Sequence, residues 1–154
     1  MTCAIEILVD ADACPVKEEI YKVAFRHEIP VTVVANAPIR IPPHELIKRV
    51  TVNDHYDAAD DYVADHSHPR AIVITADILL AERCLNKDAV VLSPKGEPFT
   101  KDSIGGAIAA RALMADLRAG VGEISGGPAP FQKADRSRLL QALDQALVQL
   151  KRAG

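Results

Sequence analysis

Short apolar runs alternate with amphipathic segments along most of this chain. The apolar runs are rich in β-branched residues and predict buried strands at residues 4–9, 31–35, 71–75 and 89–92. The amphipathic segments carry apolar residues at helical spacing and predict helices at about 15–27, 58–66, 77–85, 102–118 and 136–151. Because strands and helices alternate, the pattern predicts an α/β fold with a three-layer α/β/α arrangement, in which helices cover both faces of a mainly parallel sheet.

Turn and capping residues refine this outline. Residues 46–52 predict a short helix that runs into a strand, and residues 93–100 predict a loop. Asp102 or Ser103 is the expected cap of the long fourth helix, because either side chain can accept a hydrogen bond from a helix N-terminus. The glycines and prolines of residues 119–130 predict a hinge or surface loop before the last helix.

The composition is that of an ordinary globular protein. The 154 residues are 49% apolar and 25% charged, and this length predicts one domain spanning residues 1–154. No apolar run is long enough to cross a membrane, and the first residues lack the basic and apolar regions of a signal peptide. Three cysteines without a CxxC spacing argue against a disulfide framework or a zinc site, so we expect a cytoplasmic protein.

Charge is distributed unevenly along the chain. The net charge is −3, but residues 1–77 carry 7 basic and 13 acidic side chains, and residues 78–154 carry 11 basic and 8 acidic ones. The halves therefore have net charges of −6 and +3. This balance argues against a surface coated in basic charge for duplex DNA, and it leaves room for a basic strip beside an acidic pocket.

Acidic residues follow two of the predicted strands. Asp10 and Asp12 end the first strand, and Asp77 comes just after the strand at residues 71–75. Ligands of an open parallel sheet bind beyond the carboxyl ends of its strands. We therefore expect these carboxylates to lie at the edge of the sheet where ligands bind.

A third group of acids lies near the start of the helix at residues 58–66. Asp57, Asp60 and Asp61 have the spacing of one helical face, and the sequence leaves open which of them reaches the site. Converging carboxylates repel one another unless a cation lies between them, and their hard oxygen atoms suit Mg²⁺ or Mn²⁺. The alternative for each acid taken singly is a helix cap, which is a common role of Asp at a strand-to-helix junction.

Basic side chains provide candidate phosphate contacts. Lys17 lies on the first predicted helix, and Arg111 and Arg118 are seven residues apart on the long helix, so the two arginines share a face. Arginine can bind phosphate with two parallel hydrogen bonds. The Gly105–Gly106 pair is a weaker candidate for phosphate binding at a helix start. With three Phe and three Tyr in the chain, a stacking platform for bases has little support.

Several motifs, taken in order, resemble one protein family. They are VDADACPVK (9–17), DAADD (57–61), TAD (75–77), LSPKG (92–96), AR (110–111) and GGP (126–128). Together they resemble the YaiI/YqxD family of uncharacterised bacterial proteins over about residues 4–147, and the first motif is the most specific. That family is similar in layout to the PIN-like nuclease superfamily, whose members use an acidic cluster and a divalent metal to cut RNA or DNA.

The resemblance implies roles for individual acids. Asp10 matches the acid that ends the first strand of PIN-like domains, Asp60 resembles the acid of their central helix, and Asp77 resembles the acid after a later strand. Asp12 is an additional acid, expected near the metal. Many PIN-like domains have a further acid just beyond the position of Asp77, whereas here none occurs before Glu82. This departure implies a weaker metal site or a different number of metal ions.

The leading interpretation is a metal-dependent phosphodiesterase that acts on RNA. Mg²⁺ or Mn²⁺ would be held by Asp10, Asp60 and Asp77, with Asp12 assisting or orienting water. Lys17 and Arg111 would contact the phosphates. One alternative is a regulator that binds RNA, a nucleotide or a protein without catalysis, because a fold does not fix a function. A second is a phosphatase of the haloacid-dehalogenase type, since Asp10 and Asp12 after a strand resemble its first motif.

Overall fold

The alternation of strands and helices folds into a three-layer α/β/α architecture. The structure is a computed structural model and describes residues 4–11, 17–36, 39–52, 58–121 and 133–153, apart from the side chains of residues 111, 112 and 114–121. Its strands are β1 Glu6–Asp10, β2 Val31–Ala35, β3 Ile47–Thr51, β4 Ala71–Ile74, β5 Val90–Leu92 and β6 Pro98–Phe99. Its helices are α1 Lys17–His27, α2 Ala58–Asp65, α3 Ile78–Leu85, α4 Lys101–Val121 and α5 Lys133–Ala153. The predicted fold class is confirmed.

All six strands form one sheet in the order β3-β2-β1-β4-β5-β6. The pairs among β3, β2, β1, β4 and β5 are parallel, and β6 is antiparallel to β5. The chain moves outward from β1 to β3 on one side, then returns to begin β4 on the other side of β1. The boundary between β1 and β4 is therefore the point where the direction of winding reverses, which is where ligands bind in sheets of this type.

Two hydrophobic cores cover the two faces of the sheet. On one face, α1 and α5 pack against side chains such as Ile7, Val9 and Ile72. On the other face, α2, α3 and α4 pack against side chains such as Leu8 and Val73. Successive residues of β1 thus point to opposite cores, and this explains why the strand is a continuous apolar run rather than an alternating one.

The region predicted as a helix running into a strand is a strand. β3 spans Ile47–Thr51, and only Ile47 of these five residues is fully buried. As the edge strand of the sheet it is exposed on one side, so Lys48 and Arg49 can occupy it. Charged side chains on an edge strand also discourage pairing with another chain.

The loop predicted at residues 93–100 contains strand β6, so that prediction is wrong for two residues. Ser93 and Glu97 close a turn in which the Ser93 N–H donates to the Glu97 carbonyl at 2.8 Å. This turn brings Pro98 and Phe99 beside β5. A strand of two residues is too short to produce a recognisable period in the sequence.

The cap of α4 lies earlier than predicted. Thr100 precedes the helix, and its hydroxyl oxygen accepts a hydrogen bond from the Ser103 N–H at 3.0 Å. The Ser103 hydroxyl oxygen in turn accepts from the Thr100 N–H at 3.1 Å, which completes a reciprocal capping box. Neither Asp102 nor Ser103 is therefore the N-cap.

The long helices also extend beyond their predicted bounds. α4 continues to Val121, so residues 119–121 are helical rather than part of the predicted loop. Of these three residues only Ala119 has a high helix propensity, so the extension through Gly120 and Val121 is not explained by local propensity. α5 begins at Lys133 and ends at Ala153. The remainder of the predicted loop, from residue 122 to residue 130, is outside the described residues.

Helices α1 and α5 run parallel to each other. Arg136 Nη1 lies 3.1 Å from Glu19 Oε1 near their N-termini, and His27 Nε2 lies 2.6 Å from Asp144 Oδ1 farther along both helices. Lys151 Nζ is 3.0 Å from the other ring nitrogen of His27. Since α1 starts at the carboxyl edge of the sheet, α5 also starts there. The N-terminal turns of both helices therefore flank the edge where ligands bind.

The contact between His27 and Asp144 makes a specific prediction for acid stability. Its hydrogen bond lowers the pKa of Asp144 below the ordinary value, and the charges of the surrounding basic side chains add to the effect. A carboxyl with a lowered folded-state pKa stabilises the fold above its unfolded pKa of about 3.9, and this contribution is lost as the pH falls through the folded pKa. We expect Asp144→Asn to be less stable than wild type at neutral pH. We expect this difference in unfolding free energy to vanish in acid when urea unfolding is measured from neutral pH to below the folded-state pKa of Asp144. A difference that stays constant with pH would contradict a stabilising contact between His27 and Asp144.

Candidate functional site

A buried carboxylate lies at the point where the sheet changes its direction of winding. Asp10 is the last residue of β1 and is only 4% exposed. Thr75 follows β4, is fully buried, and its hydroxyl donates a hydrogen bond of 2.8 Å to Asp10 Oδ2. Parallel pairing of Val9 with Ile74 places the next residue of each strand side by side. The register of β1 and β4 therefore brings this carboxylate and this hydroxyl together.

The Thr75 hydroxyl is itself oriented by the chain that follows it. Its oxygen accepts a hydrogen bond of 3.0 Å from the Asp77 N–H. This leaves the hydroxyl proton directed to Asp10, so a short chain of hydrogen bonds runs from Asp77 through Thr75 to Asp10. Such a chain fixes the carboxylate in one orientation, because a buried charge is stable only where polar partners satisfy it.

Asp77 caps helix α3. Its Oδ1 accepts hydrogen bonds from the Leu79 N–H at 3.0 Å and from the Leu80 N–H at 3.2 Å. This is the capping role that the sequence offered as the alternative to metal binding. A carboxylate has two oxygens and about four acceptor positions, so the cap is compatible with a second role. As a metal ligand Asp77 stays a prediction.

Helix α2 presents two neighbouring acids with different surroundings. Both side chains are partly exposed, and Asp61 lies 3.0 Å from Arg83 Nη2 in an ion pair on the surface. An acid that faces α3 in a surface ion pair is the weaker candidate for the carboxylate site. Between these two residues the structure therefore favours Asp60, while Asp57 lies outside the described residues.

The thiol of Cys84 is influenced by the charges of acids on both β1 and α2. Burial raises the pKa of Cys84, its hydrogen bond to Ser67 and the charge of Arg83 oppose this, and the negative charges of Asp60 and Asp10 raise it further. Both carboxylates therefore lie within electrostatic reach of one buried sulfur atom. A raised pKa keeps this thiol neutral, which makes it a core residue and not a nucleophile.

The described residues contain no ready-made group of three His, Cys, Asp or Glu side chains that could hold a metal ion. Asp10, Asp60 and Asp77 consequently do not form a closed cluster of three carboxylates by themselves. Asp12, the additional acid expected near the metal, lies outside the part of the chain that the structure describes. The predicted set of ligands therefore stays a prediction.

The predicted phosphate contacts have different outcomes. Lys17 is the first residue of α1 and lies half-buried at the carboxyl edge of the sheet. Arg111 belongs to α4, and its side chain is outside the described part. Gly105 lies inside α4, where hydrogen bonding within the helix already begins with the Ile104 N–H to the Thr100 carbonyl at 2.9 Å. The Gly105–Gly106 pair therefore does not form an anion site at the helix start.

The sequence did not predict the hydrogen bond between Thr75 and Asp10; it indicated Thr75 only as a candidate second-motif residue in the phosphatase alternative. Its position, two residues before Asp77 and directly after a buried strand, was the available signal. The missing information was the strand order, because only a pairing of β1 with β4 places Thr75 beside Asp10.

A double-mutant cycle would measure the bond between Thr75 and Asp10. Thr75→Val removes a buried hydrogen bond to a charged group and should cost about 2 kcal/mol of unfolding free energy. In an Asp10→Asn background the cost should be clearly smaller, since the accepting group is no longer charged. Thr75→Ser, which keeps the hydroxyl, should restore most of the coupling. Equal costs in both backgrounds, measured by urea unfolding, would show that the bond contributes nothing specific.

Comparison with known proteins gives a consistent result over nearly the whole chain. A family model described as "Uncharacterized BCR, YaiI/YqxD family" matches residues 8–149. No solved structure gives a significant match. In the described part of the chain, no helix is both long and apolar enough to cross a membrane.

Several curated proteins are similar to this chain over almost their full length. A UPF0178 protein of Sphingopyxis alaskensis is 64% identical over 146 residues, which cover 95% of each chain. A UPF0178 protein of Brucella suis is 57% identical over 149 residues, covering 96% of this chain and 92% of the relative. A third, from Nitrobacter winogradskyi, is 55% identical over 150 residues, covering 97% and 95%.

Proposed function

The chain belongs to the YaiI/YqxD family, and from the geometry of its carboxylate site we propose that it is a metal-dependent phosphodiesterase that acts on RNA. The observation that carries the proposal is the buried Asp10 carboxylate at the winding reversal of the sheet, held by the Thr75 hydroxyl. A buried carboxylate at the edge where ligands bind is costly for stability, and a role in binding explains why it is there.

The donor atoms fit a hard divalent cation. Asp10 and Asp60 provide carboxylate oxygens, and Mg²⁺ or Mn²⁺ is commonly bound through one or two carboxylates together with water and substrate phosphates. Because the described acids do not form a closed cluster, the proposal requires water and substrate phosphates to complete the coordination of the ion. When bound, such an ion activates water and stabilises negative charge on a phosphodiester.

The residues around Asp10 have separable roles in this proposal. Thr75 is a positioning residue that holds the Asp10 carboxylate through its hydroxyl, and Asp77 orients that hydroxyl through its backbone N–H. Lys17 begins α1 at the same edge and provides positive charge for a phosphate. The choice of RNA as substrate rests on the resemblance to PIN-like nucleases. The positive charge of Lys17 at this edge also suits a polyanionic substrate.

The two acids of α2 provide a matched pair for testing this proposal. We expect the purified protein to cleave single-stranded RNA in Mn²⁺ and not in EDTA. Asp60→Asn should reduce the cleavage rate at least about tenfold, because it removes a carboxylate near the metal. Asp61→Asn removes the same charge one residue away, but from a surface ion pair, and should change the rate less than about twofold.

Three outcomes would contradict the proposal. Equal losses in both α2 variants would mean that Asp60 acts through overall charge only. Binding of RNA and metal without cleavage would instead favour a regulator that is not an enzyme. Release of phosphate from a simple monoester that depends on Asp10, without RNA cleavage, would favour a phosphatase that uses Asp10 as its nucleophile.

A further inference from the structure

A groove lies between helix α1 and residues 40–42, and its Lys17 end lies at the carboxyl edge of the sheet. It has a volume of about 550 Å³, and its exposed lining is mostly apolar. The residues that line it are Lys17, Glu18, Tyr21, Lys22, Phe25, Arg40, Ile41 and Pro42. We call this feature the α1 groove. Of the residues named in the proposed function, only Lys17, the proposed phosphate contact, is among those that line it.

The α1 groove concentrates positive charge in the acidic half of the chain. Lys17, Lys22 and Arg40 are three of only seven basic residues among residues 1–77, which carry a net charge of −6. Among the described residues that line the groove, Glu18 is the single acid. Within the described residues, neither Lys22 nor Arg40 forms an ion pair with an acidic side chain. This local excess of positive charge is complementary to an anionic ligand.

The groove also presents a flat aromatic surface. Phe25 is 36% exposed, which is high for a large apolar side chain, and its ring centroid lies 4.4 Å from that of His44. Pro42 adds apolar surface to the lining. The opposite wall is fixed to the sheet, because Arg49 Nη1 donates a hydrogen bond of 2.9 Å to the Ile39 carbonyl. Cations next to exposed rings are the combination that binds single-stranded nucleic acid.

We propose that the α1 groove binds a segment of single-stranded nucleic acid, with a base against Phe25 and adjacent phosphates at Lys22 and Arg40. The proposal rests on the phosphodiesterase function, because the groove leads to the same edge of the sheet as Asp10. Phe25 lies eight residues after Lys17, about 12 Å along the helix. A strand bound in the groove therefore extends from Phe25 past Lys22 to Lys17, at the carboxyl edge of the sheet that also holds Asp10.

Binding in EDTA separates this proposal from catalysis. The probe is a fluorescein-labelled oligo(U) of twelve nucleotides, measured by fluorescence anisotropy at several salt concentrations. Lys22→Gln with Arg40→Gln should weaken binding about tenfold at low salt and reduce the salt slope by about 1.4, the value for two lost phosphate contacts with a single strand. Phe25→Ala should weaken binding about tenfold without a change in salt slope, since stacking involves no released ions.

Matched controls exclude a general charge effect and a catalytic one. Lys87→Gln with Arg152→Gln removes two exposed cations at the opposite edge of the sheet, one just after α3 and one in the last turn of α5. This variant should bind like wild type. Asp10→Asn should also keep its RNA affinity in EDTA while losing cleavage, so that failure of the carboxylate site and failure of the groove give different results.

Three results would overturn the α1 groove as a nucleic-acid site. One is unchanged oligo(U) affinity in the Lys22/Arg40 double variant or in Phe25→Ala, with the folds verified by circular dichroism. A second is displacement of oligo(U) by poly-glutamate at equal charge concentration, because it would show that the groove selects an acidic polypeptide equally well. Wild-type protein that binds no oligo(U) at low salt would overturn it as well.

Discussion

Replacing Asp10 by asparagine should abolish metal-dependent RNA cleavage while the protein remains folded. Asparagine has the same shape and can still accept a hydrogen bond from the Thr75 hydroxyl, which lies 2.8 Å from Asp10 Oδ2 in the wild type. It lacks the negative charge that a divalent cation requires. Because such a cation contributes several kcal/mol to the transition state, we expect the rate to fall by at least about a hundredfold.

The stability of this variant separates a functional role for Asp10 from a structural one. A buried charge is costly to desolvate, so a neutral residue of equal shape should leave the unfolding free energy unchanged or raise it. If Asp10 were only a structural residue, Asp10→Asn should lower stability and leave cleavage intact. Thermal unfolding of the variant, together with a separate single-turnover cleavage assay, distinguishes these outcomes.

Replacing Gly96 by alanine should destabilise the whole fold. Gly96 has a φ of +84° in the turn between β5 and β6, a conformation that disfavours side chains. A Cβ atom there would lie 2.6 Å from the carbonyl carbon and oxygen of Arg138 in α5. These atoms are backbone, so relief requires α5 to move. Strain and overpacking together should cost about 2–4 kcal/mol of unfolding free energy.

Gly105 provides a control position at which the same Gly→Ala substitution should not destabilise the protein. It lies inside α4, and nothing is within 4 Å of the position its Cβ would take. Gly105→Ala should therefore be neutral or stabilise the protein by up to about 1 kcal/mol, the difference in helix propensity between the two residues. Urea unfolding of both variants tests the packing of α5 against the turn, and equal effects would contradict it.

The parallel core of the fold could be predicted from the sequence because its strands are buried on both faces. β1, β2 and β4 are continuous apolar runs, and no other local structure of that length buries them as well. β6 was missed, and β3 was predicted only in part, as a helix running into a strand, for different reasons. β3 is an exposed edge strand containing Lys48 and Arg49, and β6 is only two residues long. Both depend on their neighbours in the sheet, which local patterns do not show.

For the candidate site, the sequence could predict which residues lie at the ends of strands, but not which side chains contact one another. The positions of Asp10 and Asp77 after apolar runs located the edge, and the structure bears out that placement. The partnership with Thr75 required the strand order. The α1 groove required the packing of residues 40–42 against α1, which joins Arg40 to Phe25 across a gap in sequence. Contacts between distant segments leave no periodic signal in the chain.

The most direct test of the carboxylate site is a calorimetric titration of Mn²⁺ into the wild type and into Asp10→Asn, each with and without a non-hydrolysable RNA oligonucleotide. The oligonucleotide is included because substrate phosphates often complete a site of this kind. We expect binding in the wild type that strengthens when the oligonucleotide is present and is lost in Asp10→Asn. Equal Mn²⁺ binding in both proteins, or none in either under both conditions, would contradict the assignment of Asp10 as a metal ligand.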